Sequence, residues 1–153
     1  WESAPHGLSL GIKPELQLGA STAAERKGLA SGRAGMSATL VLTQETSFGA
    51  VHANLAAARV RYELAESREA NRRTRYRLSV APVVELAPAW MVALDVGVVT
   101  NPDRARRARM GYVELGTIWT PREDVEVALG WIANLGDGEP QSRTLTMGFT
   151  VRF

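Results

Sequence analysis

From Ser142 to Phe153 the chain alternates without a break. Arg143, Leu145, Met147, Phe149, Val151 and Phe153 fall on one parity; Ser142, Thr144, Thr146, Gly148, Thr150 and Arg152 fall on the other. Successive strand side chains point to opposite faces, so the pattern predicts a strand with one apolar and one polar wall. A soluble β protein has little reason to end on its most hydrophobic strand with an aromatic last residue. The final strand of a transmembrane β-barrel does, because it closes a wall that faces lipid.

The same period recurs upstream. Residues 8–19 set Leu8, Leu10, Ile12, Pro14, Leu16 and Leu18 against Ser9, Gly11, Lys13, Glu15 and Gln17. Residues 35–43 set Met36, Ala38, Leu40 and Leu42 against Ser37, Thr39, Val41 and Thr43, and residues 49–62 set Val51, Ala53, Leu55 and Ala57 against Ala50, His52, Asn54 and Ala56. Residues 74–86, 90–99, 110–120 and 125–135 repeat the scheme, with Leu78, Val96, Leu115 and Leu129 outward and Arg77, Asp95, Glu114 and Glu126 inward. Each run is near the roughly 9–11 residues that cross a bilayer when tilted. Two prolines, Pro14 and Pro82, interrupt this scheme, since each forfeits a ladder donor. The phase also fails after Ala57, where Val60 and Tyr62 take the wrong parity; a bulge near residues 56–58, or a strand rising beyond the membrane, would account for it.

The connections add an independent signal. Short turns at residues 45–47, 87–89 and 121–124 alternate with longer polar loops at 20–34, 64–73, 100–109 and 136–141. Outer-membrane barrels have short periplasmic turns and longer extracellular loops. Trp90 and Trp119 flank the short turns on the apolar parity, with Phe153 at the same level, and Tyr62 and Tyr76 lie near the opposite ends, as two interfacial girdles would. Tyr112 points inward and is not counted among them.

Composition narrows the class further. The 45% hydrophobic content of this 153-residue chain is dispersed, and no run approaches a membrane helix. Cysteine is absent, which leaves no disulfide framework and no thiolate metal site. The net charge is +2, almost all of its cations being arginine. The basic clusters Arg72, Arg73, Arg75, Arg77 and Arg104, Arg106, Arg107, Arg109 lack interleaved aromatics, which argues against nucleic acid as a partner. The opening Trp1-Glu2-Ser3-Ala4-Pro5, with no Met and no signal-like segment, reads as an excerpt from a longer chain. The expectation is a single all-β domain over residues 1–153: an antiparallel up-and-down transmembrane β-barrel with about eight strands here, forming the C-terminal part of a larger barrel in the bacterial outer membrane.

Gly28 to Gly35 before a strand, Val51-His52-Ala53-Asn54-Leu55, Trp90 with Ala93-Leu94-Asp95-Val96-Gly97, and Thr100-Asn101-Pro102 form a recognisable series. It continues with Glu114-Leu115-Gly116, Ala128-Leu129-Gly130 and Gly148-Phe149-Thr150-Val151-Arg152-Phe153. The series resembles bacterial outer-membrane proteins of the phenol-degradation (MetA-pathway) transporter family and covers most of the chain. The resemblance implies a β-barrel channel or uptake protein for small aromatic or hydrophobic compounds, with no established catalytic residues. Members are longer than this chain.

The inward parity collects the candidate lumen-lining residues His52, Asn54, Arg75, Arg77, Glu85, Asp95, Glu114, Glu126 and Arg152, together with Lys13 and Glu15. One reading is a salt-bridged plug, since an eight-stranded interior is just wide enough for side chains to fill. The other is a solute-selecting lining in a wider barrel. Asp95 and Glu114 lie one each on neighbouring strands, but no nucleophile or metal set accompanies them, so no enzyme activity and no cofactor is expected. His52 lacks a serine on its own strand and reads as a hydrogen-bonding lumen residue; His6 and His52 are too few for a metal site. Gly28, Gly32 and Gly35 lack the strand-to-helix context of a phosphate loop. Expected partners are outer-membrane lipid and lipopolysaccharide, the latter through Arg104, Arg106, Arg107 and Arg109 or else not, if those charges are merely solvated. The barrel assembly machinery, reading the Phe153 strand, and a small hydrophobic solute complete the set.

Overall fold

All eight alternating runs form strands in the computed structural model, which describes residues 2–3, 7–135 and 142–152. In chain order these are β1 (Glu2–Ser3), β2 (Leu8–Gln17), β3 (Arg33–Thr46), β4 (Gly49–Arg61), β5 (Thr74–Ala87), β6 (Trp90–Thr100), β7 (Arg109–Arg122), β8 (Val125–Leu135) and β9 (Arg143–Val151). Each is antiparallel to its sequence neighbour, so order in space equals order in the chain. Among the described residues no pairing joins β9 to β1 or β2, and the sheet is a curled half-barrel with two free margins. Trp1, His6, the loop at residues 136–141 and Phe153 lie outside the described residues.

Several strands outrun the expectation. The turn expected at residues 45–47 shifts to Ser47 and Phe48, and that at 121–124 narrows to Glu123 and Asp124. The alternating pattern also missed β1 and two short helices within the long loops, α1 (Thr22–Arg26) and α2 (Ala65–Ala70). Neither helix has the sustained 3.6-residue period that would announce it. Long and short connections do alternate, which puts residues 18–32, 62–73 and 101–108 at one end of the sheet and the tight turns at the other.

Pairing carries the apolar parity across the sheet in continuous rows. Leu10, Leu42, Ala53, Val80, Val96, Val113 and Ala133 are successive partners, as are Leu40, Leu55, Leu78 and Val98. This face is the exposed one: Ile12 is 71% accessible, Leu145 82% and Phe149 68%. The opposite face carries the buried residues Ser79, Ala81 and Tyr112. Side chains of β5 and β7, which are not neighbours, meet on that face, and burial is concentrated there, as on the concave side of a curled sheet. The polar face is therefore the inner one, with Val41, Val83, Ile118 and Ile132 interspersed on it.

The irregularities have identifiable causes. The β5–β6 pairing lapses at Ala81 and Pro82, where proline has no N–H to give. Pro14 lies on the stretch of β2 without an outer neighbour among the described residues. Of the two accounts of the lost phase after Ala57, the bulge near residues 56–58 is not there. β4 pairs in unbroken register with β5 from Gly49 to Arg59, and the shift lies instead on β3, between Arg33 and Met36. Val60 and Tyr62 simply continue the inner parity beyond the end of the apolar wall, where both are buried. Tyr62 is thus corrected from an interfacial aromatic to an inner one.

Gly49 opens β4 at φ +138°, and a Cβ there would fall 2.3 Å from the Val83 carbonyl oxygen. Gly49→Ala is expected to destabilise the β3–β4 hairpin by about 1–3 kcal/mol, read as a lowered midpoint in equilibrium urea unfolding. An unchanged midpoint would show that the hairpin does not depend on this backbone conformation.

Candidate functional site

On the inner face the charged residues group into clusters. Arg77 on β5 makes an ion pair with Asp95 on β6 and donates from Nε to the Tyr112 hydroxyl on β7 at 2.6 Å. The hydroxyl in turn donates to Asp95, 3.1 Å from Oδ2. The guanidinium carbon also lies 4.7 Å from the centre of the Tyr112 ring, a cation–π contact. Gly97 is the reason a β7 side chain can reach across β6: a Cβ there would stand 2.8 Å from the Tyr112 ring and 2.6 Å from Ser79 Cβ. Tyr112, set aside as a girdle residue in the sequence, is the hub of this face. Its inward parity was legible; its reach over Gly97 was not.

The other candidates distribute around this hub. Asn54 donates to Ser79 Oγ at 3.4 Å, and His52 Nδ1 lies 2.8 Å from Thr43 Oγ1, its registered partner on β3. The buried Ser79 therefore pairs with Asn54, whereas His52 bonds to Thr43. Arg75 donates to the Tyr62 hydroxyl. At the turn end Arg152 donates to Glu126 at 2.6 Å. Glu85, also near the turns, is exposed, with no ion pair among the described residues. Lys13 and Glu15 pair at 3.2 Å on β2.

Glu114 is registered directly opposite Asp95, yet among the described residues only Asp95 of the two has a cationic partner. Glu114 borders two hollows of this face. The smaller, about 180 Å³, lies against Arg77, Tyr112 and Asn134. The larger, about 350 Å³, is floored by small residues such as Ala93, Gly116, Ala128 and Gly130. The inner face is thus low beside Glu114 and bulky at the Arg77–Tyr112 hub. Among the described residues no group of side chains is arranged to hold a metal ion.

The aromatics bracket the outer face. Trp90 and Trp119, a registered pair at the turn end, stack with centroids 5.6 Å apart and planes at 19°. Tyr76 stands exposed towards the opposite end.

The long loops form a collar held by charged side chains on backbone groups. Ser21 caps α1 by accepting from the Ala24 amide, which positions Glu25. Glu25, only 5% exposed, accepts from the amides of Glu63 and Leu64 at 2.9 and 3.0 Å, joining the first long loop to the second. Arg33 forks onto Glu63. Arg72 then joins the second loop to the third, donating to the carbonyls of Asn101, Asp103, Arg104 and Arg106. Neither Glu25 nor Arg72 announces this role in the sequence, because their partners are main-chain atoms. Arg104, Arg106, Arg107 and Arg109 are exposed, and Arg106 pairs with Asp103.

Comparison with known proteins finds no matching family model, no matching curated protein and no matching solved structure.

Burial presses the Glu25 carboxyl upward, but the Glu63 and Leu64 amides outweigh it and hold its pKa below the ordinary glutamate value. A depressed carboxylate contributes stability that is present above the unfolded-state pKa and lost as pH falls through the folded one. Hydrogen exchange at the Glu63 and Leu64 amides should therefore stay slow at neutral pH and accelerate only below the ordinary glutamate range. Glu25→Gln should abolish that acid step; its persistence would assign it to another carboxylate. In the hub, a double-mutant cycle over Arg77→Met and Asp95→Asn should give a coupling of about 1 kcal/mol in urea unfolding, since the pair is only partly desolvated. Zero coupling would reduce the pair to an incidental contact.

Proposed function

We propose that this chain builds the wall of a bacterial outer-membrane β-barrel that passes small aromatic or hydrophobic solutes. The carrying observation is the inverted polarity of the sheet: large aliphatic side chains cover the exposed face, while Ser79, Asn54, Arg77 and Asp95 occupy the covered one. A face of that kind is stable against acyl chains, and the strands from β3 to β8 pair on both sides, as a bilayer requires of a wall. The stacked tryptophans at one end and Tyr76 towards the other suit the two interfacial levels. No helix among the described residues is long and apolar enough to cross a membrane.

A channel is favoured over a filled barrel by the open curl. Eight strands that close on themselves leave an interior just filled by side chains. Here the long strands curl only part of the way around, so closure needs further strands and encloses a wider bore. The solute path runs over the low floor beside Glu114 and narrows at the Arg77–Asp95–Tyr112 hub. The resemblance to the phenol-degradation transporters supports the same solute class. A structural barrel with a non-conducting interior is the second reading, and the hub is the observation that favours it.

Reconstituted into planar bilayers, the protein should give stepwise conductance, and Glu114→Gln should shift its ion preference towards anions. Absence of both conductance and liposome swelling, with insertion verified by protease protection, would defeat the channel and leave the filled barrel.

A further inference from the structure

At the loop end of β3, β4 and β5, five arginines surround one hollow of about 200 Å³: Arg33, Arg59, Arg61, Arg68 and Arg73. Register puts them together: Arg33 faces Arg61, and Arg59 faces Met36 on one side and Thr74 on the other. Like charges directly opposite destabilise a sheet unless something offsets them. Glu63 neutralises Arg33, and Arg68 donates to the Glu63 carbonyl. Arg59, Arg61 and Arg73 make no ion pair or side-chain hydrogen bond among the described residues. The hollow therefore holds a surplus of positive charge with donors to spare.

Arg59 also borders a second hollow, an apolar trough of about 670 Å³ on the exposed face. The trough exists because a row of small residues, Pro14, Ala38 and Ala57, crosses a wall otherwise built of Leu and Val, with Leu16 and Met36 as its bank. The acid beside it, Glu15, is neutralised by Lys13 at 3.2 Å. A greasy trough ending at an uncompensated arginine cluster matches one amphiphile: acyl chains along Ala38 and Ala57, and a phosphate on the guanidinium forks.

We infer that this rim is a binding site for a phosphate-bearing membrane lipid, held by Arg59, Arg61 and Arg73 with its chains against Pro14, Ala38 and Ala57. The site rests on the membrane-wall reading above. It is distinct from the Arg104–Arg109 loop, in which Arg106 is already paired with Asp103.

The test uses the whole chain inserted into phosphatidylcholine vesicles doped with either phosphatidic acid or diacylglycerol, which differ only in the phosphate. Lipid retained after extraction into mild detergent is counted by native mass spectrometry. Phosphatidic acid should be retained about tenfold over diacylglycerol, a preference that Arg59→Gln/Arg61→Gln/Arg73→Gln abolishes. Ala57→Trp, which fills the trough, should lower phosphatidic acid retention with the arginines intact. Inorganic phosphate should not displace the lipid; full displacement would make this a free-anion site and overturn the inference. A parent chain that inserts but shows no preference overturns the lipid site alone. A parent chain that fails to enter plain phosphatidylcholine overturns the membrane reading and the site together.

Discussion

Because side chains alternate with period two, the pairing register between neighbouring strands settles which face every residue of this protein occupies. Among the described residues each strand pairs only with those beside it in the chain, and the turns at Ser47-Phe48, Pro88-Ala89 and Glu123-Asp124 leave little slack for a slip. A one-residue offset at β5 would send Leu78 and Val80 inward and put Arg77 and Ser79 on the apolar wall. The sheet depends on that register more than on any single contact.

Given the register, the two faces solve different problems. The outer face needs only bulk and oiliness, and it presents a contiguous apolar surface far larger than a water-exposed monomer ordinarily carries. The inner face must hold charge at partial burial, and does so by cross-strand pairing: Arg77 with Asp95 and Tyr112, Arg152 with Glu126. These contacts span strands and fix the curl as well as the charge. Removing the side chain at position 97 is what lets the curl tighten enough for β5 and β7 to touch.

At the loop end a different economy applies. Irregular backbone leaves amides and carbonyls without ladder partners, and Glu25 and Arg72 supply them from neighbouring loops. A single carboxylate or guanidinium meeting several main-chain groups rigidifies more than a side-chain pair would. The collar thereby holds the arginine-rich rim next to the wall, where Arg59 belongs to both.

Where the eight long strands lie, their up-and-down order, the alternation of long and short connections and the parity of almost every wall and inner residue all follow from the period-two pattern. Local alternation is a property of consecutive residues, so it survives without the rest of the molecule. It erred where distance in the chain mattered. Position near a strand end suggests an interfacial Tyr62 and says nothing of the collar that buries it. The loss of phase after Ala57 leaves two accounts open in the sequence, a bulge or a strand running on past the wall, and the unbroken β4–β5 register excludes the bulge. Tyr112 crossing Gly97 to meet Arg77, Glu25 and Arg72 tying loops together, and five arginines from separate segments sharing one hollow are products of the folded chain. Those contacts join residues many positions apart, and their formation depends on curl and register, which arise only once all the strands have paired.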